Sequence, residues 1–255
     1  MATQNAAAKA FKALHQRPNK PLALANVWDI ISARAVAELE STEALATASF
    51  SVARTAGLED EQLTLNINVA AVKGIAKVAA EFNKPLSVDI QDAYGPELEK
   101  AINALIDLGV AAINLEDCEL ATGELYTPAE AASRIERVLE VAKERGVPDF
   151  VVNARCDALV KGHSILDAVV RGKRYLAAGA TTVFVWGGKR GVTRSEVDRM
   201  VSEFDGRLAV LAVPPPAGLS VKELADIGVA RYSVGPSVMF AAIQTMQDEA
   251  KKLLG

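Results

Sequence analysis

The sequence of 255 residues has little of what marks disulfide-rich, zinc-binding or membrane proteins. Its two cysteines, Cys118 and Cys156, cannot build a disulfide framework and match no zinc-site spacing, so we interpret them as small buried hydrophobic residues. No apolar run approaches the ~20 residues of a membrane span. The net charge of -4 gives no basic footprint, which argues against partners bound through nucleic-acid phosphates or an anionic membrane surface. A small-molecule ligand is the better expectation.

The opening residues, MATQNAAAKAFKAL, lack the basic segment, apolar core and cleavage site of a secretory signal peptide. They are typical of an amphipathic first helix, and we expect a cytoplasmic protein. Half of the residues are hydrophobic and only 5% are aromatic, which favours many short buried strands covered by helices. No linker, composition break or low-complexity tract divides the chain, so we predict one domain over residues 1–255.

Short apolar runs alternate along the chain with segments of helical spacing. We predict eight strands, at residues 22–26, 44–49, 86–91, 111–116, 150–154, 182–186, 208–213 and 231–234. Predicted helices start at Asp29 or Ser32 and end at Glu40, cover residues 67–82, 96–108, 128–145, 164–178 and 195–204, and reach the C-terminus after the last strand. Eight alternating units predict an α/β fold, a (β/α)8 TIM barrel with parallel strands. An open doubly wound sheet is the alternative.

Active sites of such barrels lie at the carboxyl ends of the strands, so polar residues there are the functional candidates. The strand ends carry Asn26, Asp29, Ser49, Ser51, Asp89, Gln91, Asp92, Glu116, Asp117, Asn153, Arg155, Asp157 and Trp186, and strand seven runs into Pro214-Pro215-Pro216. The loop from Gly187 to Gly191 could cradle an anion with its backbone amides and two cations, or could be a plain turn before the next helix.

Adjacent strands three and four place Asp89 and Glu116 side by side at the barrel mouth. Carboxylates that close repel each other unless they are protonated or bridged by a cation, and oxygen ligands suit Mg²⁺ or Mn²⁺. The alternative is that these acids cap helices or pair with Arg155. The Arg155 guanidinium suits a carboxylate or phosphoryl ligand, unless it forms a structural salt bridge. We therefore expect a small acid that chelates through neighbouring oxygens, such as a 2-oxo or 2-hydroxy acid.

Five segments, in this order, resemble the isocitrate lyase/phosphoenolpyruvate mutase superfamily over nearly the whole chain. They are Asn26-Val27-Trp28-Asp29 with Ser32-Ala33-Arg34, Ala48-Ser49-Phe50-Ser51 with Gly57-Leu58-Glu59-Asp60, Asp89 to Gly95, Asn114-Leu115-Glu116-Asp117, and Val152-Asn153-Ala154-Arg155. The resemblance implies a barrel that assembles as a tetramer or as dimers exchanging the last helix. It also implies Mg²⁺ and the cleavage or rearrangement of a C–C or P–C bond next to an oxo-carboxylate.

The resemblance also assigns roles to individual residues. Metal binding falls to Asp89, to Glu116 and Asp60, which hold the ion directly or through water, and to Gln91. Catalytic roles fall to Asp60, Glu116 and Arg155. Substrate binding falls to the backbone amides around Ala48, Ser49 and Phe50, and to Arg155. From their places at the strand ends, Asn153 and Trp186 are further candidates for substrate binding.

Three departures from the family pattern limit what the resemblance implies. Gln91 stands where the family has a second acid, which removes one negative charge and should lower metal affinity, and Ala93 replaces a glycine. The loop from Cys118 to Thr127 is short and lacks both the Lys-Lys-Cys-Gly-His signature of the lyases and the asparagine of the phosphono enzymes. Trp186 stands where phosphono enzymes have a histidine. The two histidines, His15 and His163, are expected at surface or capping positions.

Three functions stay open at this point. The first is a Mg²⁺-dependent lyase that cleaves a C–C bond in a small 2-hydroxy or 2-oxo di- or tricarboxylic acid through an enolate. The second is a P–C bond hydrolase or mutase acting on phosphonopyruvate, against which Trp186 and the short loop weigh. The third is a barrel that binds an oxo-acid or a partner protein without catalysis, which Gln91 and the missing loop residues favour.

Overall fold

The strands of the computed structural model, which describes residues 2–213 and 217–255, form one sheet in which every neighbouring pair is parallel. They are β1 Leu22–Leu24, β2 Asn26–Val27, β3 Leu45–Thr47, β4 Leu86–Asp89, β5 Ala112–Glu116, β6 Val151–Cys156, β7 Thr182–Val185, β8 Leu208–Leu211 and β9 Arg231–Ser233. Pro214-Pro215-Pro216, at the predicted end of strand seven, lie outside the described residues.

The strand order is β1-β9-β8-β7-β6-β5-β4-β3-β2. Only Ala25 separates β1 from β2, so these two segments are halves of one strand and the sheet closes on itself. Asn26 holds this seam: its Nδ2 donates to the Thr47 carbonyl at 2.8 Å, and its Oδ1 accepts from the backbone N–H groups of Val234 and Gly235 at 3.2 and 2.9 Å. The predicted TIM barrel is confirmed, and all eight predicted strands are present.

The helices that surround the barrel in the described residues are α1 Ala2–Leu14, α2 Ile30–Ala37, α3 Ser49–Thr55, α4 Leu65–Glu81, α5 Leu98–Asp107, α6 Pro128–Glu144, α7 Ile165–Ala177, α8 Arg194–Glu203, α9 Val221–Ile227 and α10 Ser237–Leu254. The sequence did not predict α3 and α9. Ser49, expected as the last residue of a strand, is instead the first residue of α3. None of these helices combines the length and apolar character needed to cross a membrane.

Apolar side chains of the described residues pack in three clusters, of which a small one contains Val52, Ala53 and Leu63 and the other two lie on either side of the sheet. The larger region lies between sheet and helices and includes Ile113, Leu115 and Val152. Since successive residues of a strand face opposite sides, Asn114, Glu116, Asn153 and Arg155 face the barrel interior. The smaller of these two regions fills the amino-terminal end of the barrel interior, which we call the lower interior. It contains Phe11, Leu22, Leu24, Ala44, Ala46, Ala112 and Val151.

Helix α1 closes the amino-terminal end of the barrel. Phe11 is fully buried in the lower interior, and His15, whose Nδ1 lies 2.9 Å from the Phe11 carbonyl, is only 6% exposed. Burial, together with the charge of Arg231, lowers the pKa of His15 to about 3. The prediction of a surface or capping position was wrong for His15, because α1 turns this residue toward the barrel. His163 is exposed, and both cysteines are free and buried, as predicted.

Candidate active site

The strand register brings the predicted residues together at the carboxyl end of the barrel. Asp89 pairs with Asn114 across β4 and β5, and Glu116 pairs with Arg155 across β5 and β6. These side chains face the barrel interior. They lie closer to the carboxyl ends of the strands than the apolar cluster around Phe11 does. The strands therefore build a polar layer at the mouth from residues far apart in the sequence.

The carboxylate of Asp89 is held by hydrogen bonds on both oxygens. Its Oδ2 accepts from the backbone N–H of Ser49 at 3.1 Å, and its Oδ1 accepts from Asn114 Nδ2 at 3.0 Å. The Asp89 backbone is fixed as well, because its N–H donates to Thr47 Oγ1 at 2.9 Å and its carbonyl accepts from Asn68 Nδ2 at 2.9 Å. The side chain and backbone of Asp89 are thus both held in a fixed orientation.

Asp60 and Gln91 lie beside Asp89. Gln91 Nε2 donates to the Asp60 carbonyl at 2.8 Å and to Asp60 Oδ1 at 3.1 Å. The opposite end of this amide, Oε1, is buried and has no hydrogen-bond partner among the residues that the structure describes. Burial, together with the neighbouring charge of Asp89, raises the pKa of Asp60 to about 6. Gln91 itself has a φ of 52°, in the left-handed region that is strained for residues other than glycine.

Glu116 and Arg155 form a buried ion pair with Asp157. Arg155 Nη1 donates to Glu116 Oε1 at 2.7 Å, while Nε and Nη2 donate to the two oxygens of Asp157 at 2.7 and 3.0 Å. Burial alone would lower the pKa of Arg155, but the charges of Glu116 and Asp157 raise it, so the guanidinium stays charged. Burial raises the pKa of Glu116 against the opposing effect of Arg155. In this arrangement Glu116 is a partner of Arg155.

Trp186 covers the face of the Arg155 guanidinium, with the carbon Cζ 4.1 Å from the indole ring centre. This is a cation–π contact, and it leaves the edges of the guanidinium for hydrogen bonds. Three of the five N–H groups of Arg155 are engaged by Glu116 and Asp157, so two are left for a ligand.

The segment predicted to cradle a substrate carboxylate sits where β3 leads into α3. Ala48 is the residue before the helix, and the N–H of Ser49 points at Asp89. The side chain of Phe50 turns outward, with its ring 5.8 Å from that of Phe240 in α10. The structure places Ser49 at the acid cluster and the Phe50 ring away from it.

Other residues at this end of the barrel have structural partners. Asp117 Oδ1 accepts from the backbone N–H of Asp157 at 2.8 Å, and Asp117 Oδ2 accepts from the Tyr175 hydroxyl at 2.6 Å. In the glycine loop, a Cβ on Gly187 would lie 1.9 Å from the Gly191 carbonyl oxygen, so the tight turn itself requires glycine there.

The short loop from Cys118 to Thr127 is a hairpin that hydrogen bonds hold against the barrel. Its first residue forms an antiparallel bridge with Leu125. Asp92 Oδ2 accepts from the N–H of Leu120 at 3.3 Å and from the Tyr126 hydroxyl at 3.1 Å. Asp92 therefore anchors this loop and does not join the acid cluster.

Two residues to which the sequence pattern assigned no role belong to the site. Asn114 binds Asp89, and Asp157 binds Arg155 through two hydrogen bonds. Asn114 could have been found, because the alternation of a strand places it on the same face as Glu116. Asp157 was noted as a strand-end acid, but its pairing depends on the side-chain geometry.

Carboxylate and amide oxygens, the ligand types that a divalent cation such as Mg²⁺ uses, lie together at this end of the barrel. The four carboxyl groups of Asp60, Asp89, Glu116 and Asp157 lie close enough to affect one another, and Arg155 is the cation among them. In the described ranges, no three His, Cys, Asp or Glu side chains are arranged to hold a metal. The unpartnered Gln91 Oε1 offers a neutral oxygen beside the acids. Mg²⁺ commonly uses one or two carboxylates and keeps several waters, which matches this set.

Comparisons with known proteins agree with this fold. A family model described as phosphoenolpyruvate phosphomutase matches residues 11–254. An uncharacterized protein of Mycobacterium tuberculosis is 33% identical over 235 residues, covering 91% of this chain and 83% of its own. A Burkholderia cenocepacia protein, provisionally assigned as a phosphonomutase, is 33% identical with a TM-score of 0.86, over 98% of this chain and 99% of its own. The structure of 2,3-dimethylmalate lyase has a TM-score of 0.85 at 22% identity, covering 97% of this chain and 87% of its own.

Proposed function

The chain belongs to the phosphoenolpyruvate phosphomutase family, in the PEP mutase/isocitrate lyase superfamily, and on that premise we propose that it is a Mg²⁺-dependent lyase. Its proposed substrate is a small 2-hydroxy or 2-oxo di- or tricarboxylic acid, in which it cleaves a C–C bond. The observation that carries this proposal is the group of Asp60, Asp89 and Gln91 at the barrel mouth, where two carboxyl groups meet one unpartnered amide oxygen.

The metal would be held by Asp89, by Gln91 Oε1 and, through water, by Asp60 and Glu116. Mn²⁺ would fit the same oxygen ligands. When bound, the ion would neutralise the excess negative charge and polarise the substrate oxygens. The Ser49 N–H and the Asn114 amide keep the Asp89 carboxylate in place for this role.

Arg155 would bind a substrate carboxylate through its two unused N–H groups. Its three other hydrogen bonds, to Glu116 and Asp157, and the Trp186 ring over its face fix the guanidinium before the substrate arrives. Such preorganisation lowers the cost of ordering the site on binding. Ala48 and Phe50 would contribute to substrate binding through their backbone amides. Asn153 would contribute through the polar layer at the barrel mouth.

Asp60 would take the proton of the substrate hydroxyl, directly or through one water. A pKa of about 6 makes it ionised but still basic at neutral pH. As the O–H proton moves to Asp60, the hydroxyl oxygen forms a C=O bond and the adjacent C–C bond breaks. The electron pair of that bond leaves on the other fragment as an enolate. This enolate takes up one proton from solvent at carbon to give the second product acid, and Asp60 returns its proton to solvent.

A P–C bond hydrolase or mutase is the second candidate, favoured by the description of the matching family and by the Burkholderia relative. The charge balance at the mouth weighs against it. A phosphonate adds more negative charge than a carboxylate, and the Arg155 cation is already compensated by Glu116 and Asp157. The Trp186 ring also offers no group that could accept a proton from a phosphonate or transfer a proton to it.

The decisive experiment measures turnover of a substrate panel of alkylmalates, citrates, oxaloacetate and phosphonopyruvate, with Mg²⁺ and with a chelator. We expect chelator-sensitive cleavage of a 2-hydroxy or 2-oxo acid that Asp89→Ala abolishes. Phosphate release from phosphonopyruvate would replace the lyase with the second candidate. Oxalate binding that needs no metal and survives Asp89→Ala would indicate a non-catalytic binding protein.

We also propose that the protein is a homo-oligomer, a dimer or tetramer, in which a second copy covers α10. Of the 18 residues of this helix only Met239 is buried. Phe240 and Met246 are 53% and 62% exposed, and large exposed apolar side chains that share one element are typical of interfaces. The contact between Phe240 and Phe50 would connect this interface to the segment that holds Asp89.

A further inference from the structure

A row of side-chain hydrogen bonds crosses four neighbouring strands inside the barrel and ends on Asp89. Thr182 Oγ1 donates to Asn153 Oδ1 at 2.6 Å, and Asn153 Nδ2 donates to Asn114 Oδ1 at 2.8 Å. Asn114 Nδ2 then donates to Asp89 Oδ1 at 3.0 Å. We call Thr182, Asn153 and Asn114 the polar row.

The row is built into the register of the barrel. Asp89 is paired with Asn114, Asn114 with Asn153, and Asn153 with Thr182 on consecutive parallel strands. Side chains at paired positions of neighbouring strands lie side by side, so each donor faces its acceptor without any loop rearrangement. All three members are buried: the exposed fraction is 7% for Asn114, 2% for Asn153 and 0% for Thr182. Bulk water therefore does not replace these hydrogen bonds.

The row has a direction. An ionised carboxylate only accepts hydrogen bonds, so Asn114 must turn its Nδ2 toward Asp89 and its Oδ1 toward Asn153. Asn153 must then turn its own Nδ2 toward Asn114, which leaves its Oδ1 for the hydroxyl hydrogen of Thr182. Each amide orientation depends on the one before it, and the observed contacts follow this order.

We propose that Thr182, Asn153 and Asn114 are positioning residues that fix the Asp89 carboxylate for metal binding. This role rests on the proposed function, in which Asp89 binds a divalent cation. The row fixes Oδ1, which also accepts from the Gln91 N–H at 3.5 Å, and the Ser49 N–H fixes Oδ2, which keeps a lone pair for the ion. Asn153, whose amide nitrogen and oxygen both serve the row, acts through Asp89 and does not touch the substrate. Partners behind a metal ligand typically change metal affinity about 10- to 100-fold when removed.

Two variants of Thr182 test the far end of the row. Thr182→Val keeps the shape but loses the hydroxyl, and Thr182→Ser keeps the hydroxyl. With Mn²⁺ as the probe in isothermal titration calorimetry, we expect the valine variant to bind up to about 10-fold more weakly and the serine variant to bind like wild type. Both proteins should keep the wild-type circular dichroism spectrum, and the rescue by serine separates the row from a loss of packing.

Asn153→Asp tests the direction of the row. An aspartate at this position cannot donate to Asn114, so the Asn114 amide should turn over and present its oxygen to Asp89. We expect Mn²⁺ affinity to fall by about 10- to 100-fold while the protein stays folded. If wild type binds Mn²⁺ and all three variants bind it equally well, the row is structural only and the inference is wrong. If wild type binds no Mn²⁺, the proposed metal site fails first and takes this role with it.

Discussion

Gln91 donates from one amide nitrogen to both the backbone carbonyl and the side chain of Asp60, at 2.8 and 3.1 Å. A carboxylate in this position would instead repel Asp60 and Asp89. The neutral amide therefore stabilises the acid cluster when no cation is bound. Its oxygen, Oε1, can still serve as a ligand to a cation. The departure of Gln91 from the family pattern is thus a coherent local arrangement with lower negative charge.

Gln91→Asp should tighten metal binding and weaken the metal-free fold. The added carboxylate supplies a third acidic oxygen ligand, so we expect Mg²⁺ or Mn²⁺ affinity to rise about 10-fold. Without metal, its repulsion of Asp60 and Asp89 should lower the urea midpoint. Calorimetric titration and urea unfolding with and without Mg²⁺ measure both effects. Gln91→Asn, of equal length but neutral, is the control, and equal affinities for the two variants would contradict this account.

The raised pKa of Asp60 predicts how stability depends on pH. Its value of about 6 lies above the ordinary 3.8, so the folded protein holds this proton more tightly than the unfolded chain. Asp60 therefore stabilises the metal-free fold below pH 3.8, and this contribution is lost as the pH rises through about 6. Two pKa units correspond to roughly 2 to 3 kcal/mol. Urea unfolding between pH 4 and 8 without metal should show this loss, and Asp60→Asn should flatten it.

The same titration predicts competition between protons and metal. Below about pH 6 the Asp60 carboxyl is protonated, so Mg²⁺ binding should weaken as the pH falls and should release protons. Titrations in buffers of different ionisation enthalpy count the released protons. An Asp60→Asn variant should bind more weakly at neutral pH but with less dependence on pH. A wild-type affinity that is constant from pH 5 to 8 would rule out a role for Asp60 near the metal.

Removal of Arg155 should be costly because it leaves two buried acids without a partner. We expect Arg155→Met to lower the free energy of unfolding by about 3 to 5 kcal/mol and to abolish turnover. Urea unfolding of the purified variant measures the first effect. Arg34→Met is the matched control, since its ion pair with Glu81 is exposed on both sides and its loss should cost far less. Equal losses for the two variants would contradict a central role for the Arg155 pair.

Assembly through α10 predicts that one charge on this helix shifts the oligomeric state. Phe240→Glu should lower the mass measured by light scattering to that of a monomer, because the substitution puts a charge into an apolar contact. Leu166→Glu on α7 is the control, since Leu166 is exposed to the same degree, 53%. The proposal of an interface on α10 fails if wild type and both variants have the same mass.

The barrel could be predicted from the sequence because each strand is a continuous apolar run between turn residues. Helix α3 was missed for a physical reason: Ala48 provides no side-chain cap, and the apolar residues before it continue the strand pattern without a break. Helix α9 was missed although Ser220 and Glu223 form a capping box at its start. With seven residues, this helix was too short to show a helical period.

For the site, the sequence predicted which residues gather at the mouth but not which of them bind one another. The order of strands placed Asp89, Glu116 and Arg155 at the same end of the barrel, with Glu116 and Arg155 paired two residues beyond the level of Asp89. Whether Glu116 faces a metal or Arg155 depends on side-chain rotamers, which a sequence pattern does not contain. His15 was misplaced for a related reason, since the periodicity of α1 does not say which face meets the barrel.

The seam of the barrel has a consequence for how the protein is made. Asn26 hydrogen-bonds to Val234 and Gly235, which lie 208 and 209 residues later in the chain. A ribosome must therefore release every residue from β1 to β9 before β1 finds its neighbour. Until then the first strand keeps an open edge, and such edges recruit other chains. The ring of strands closes only after β9 has been synthesised, so the nascent barrel carries this edge through the synthesis of the seven strands between them.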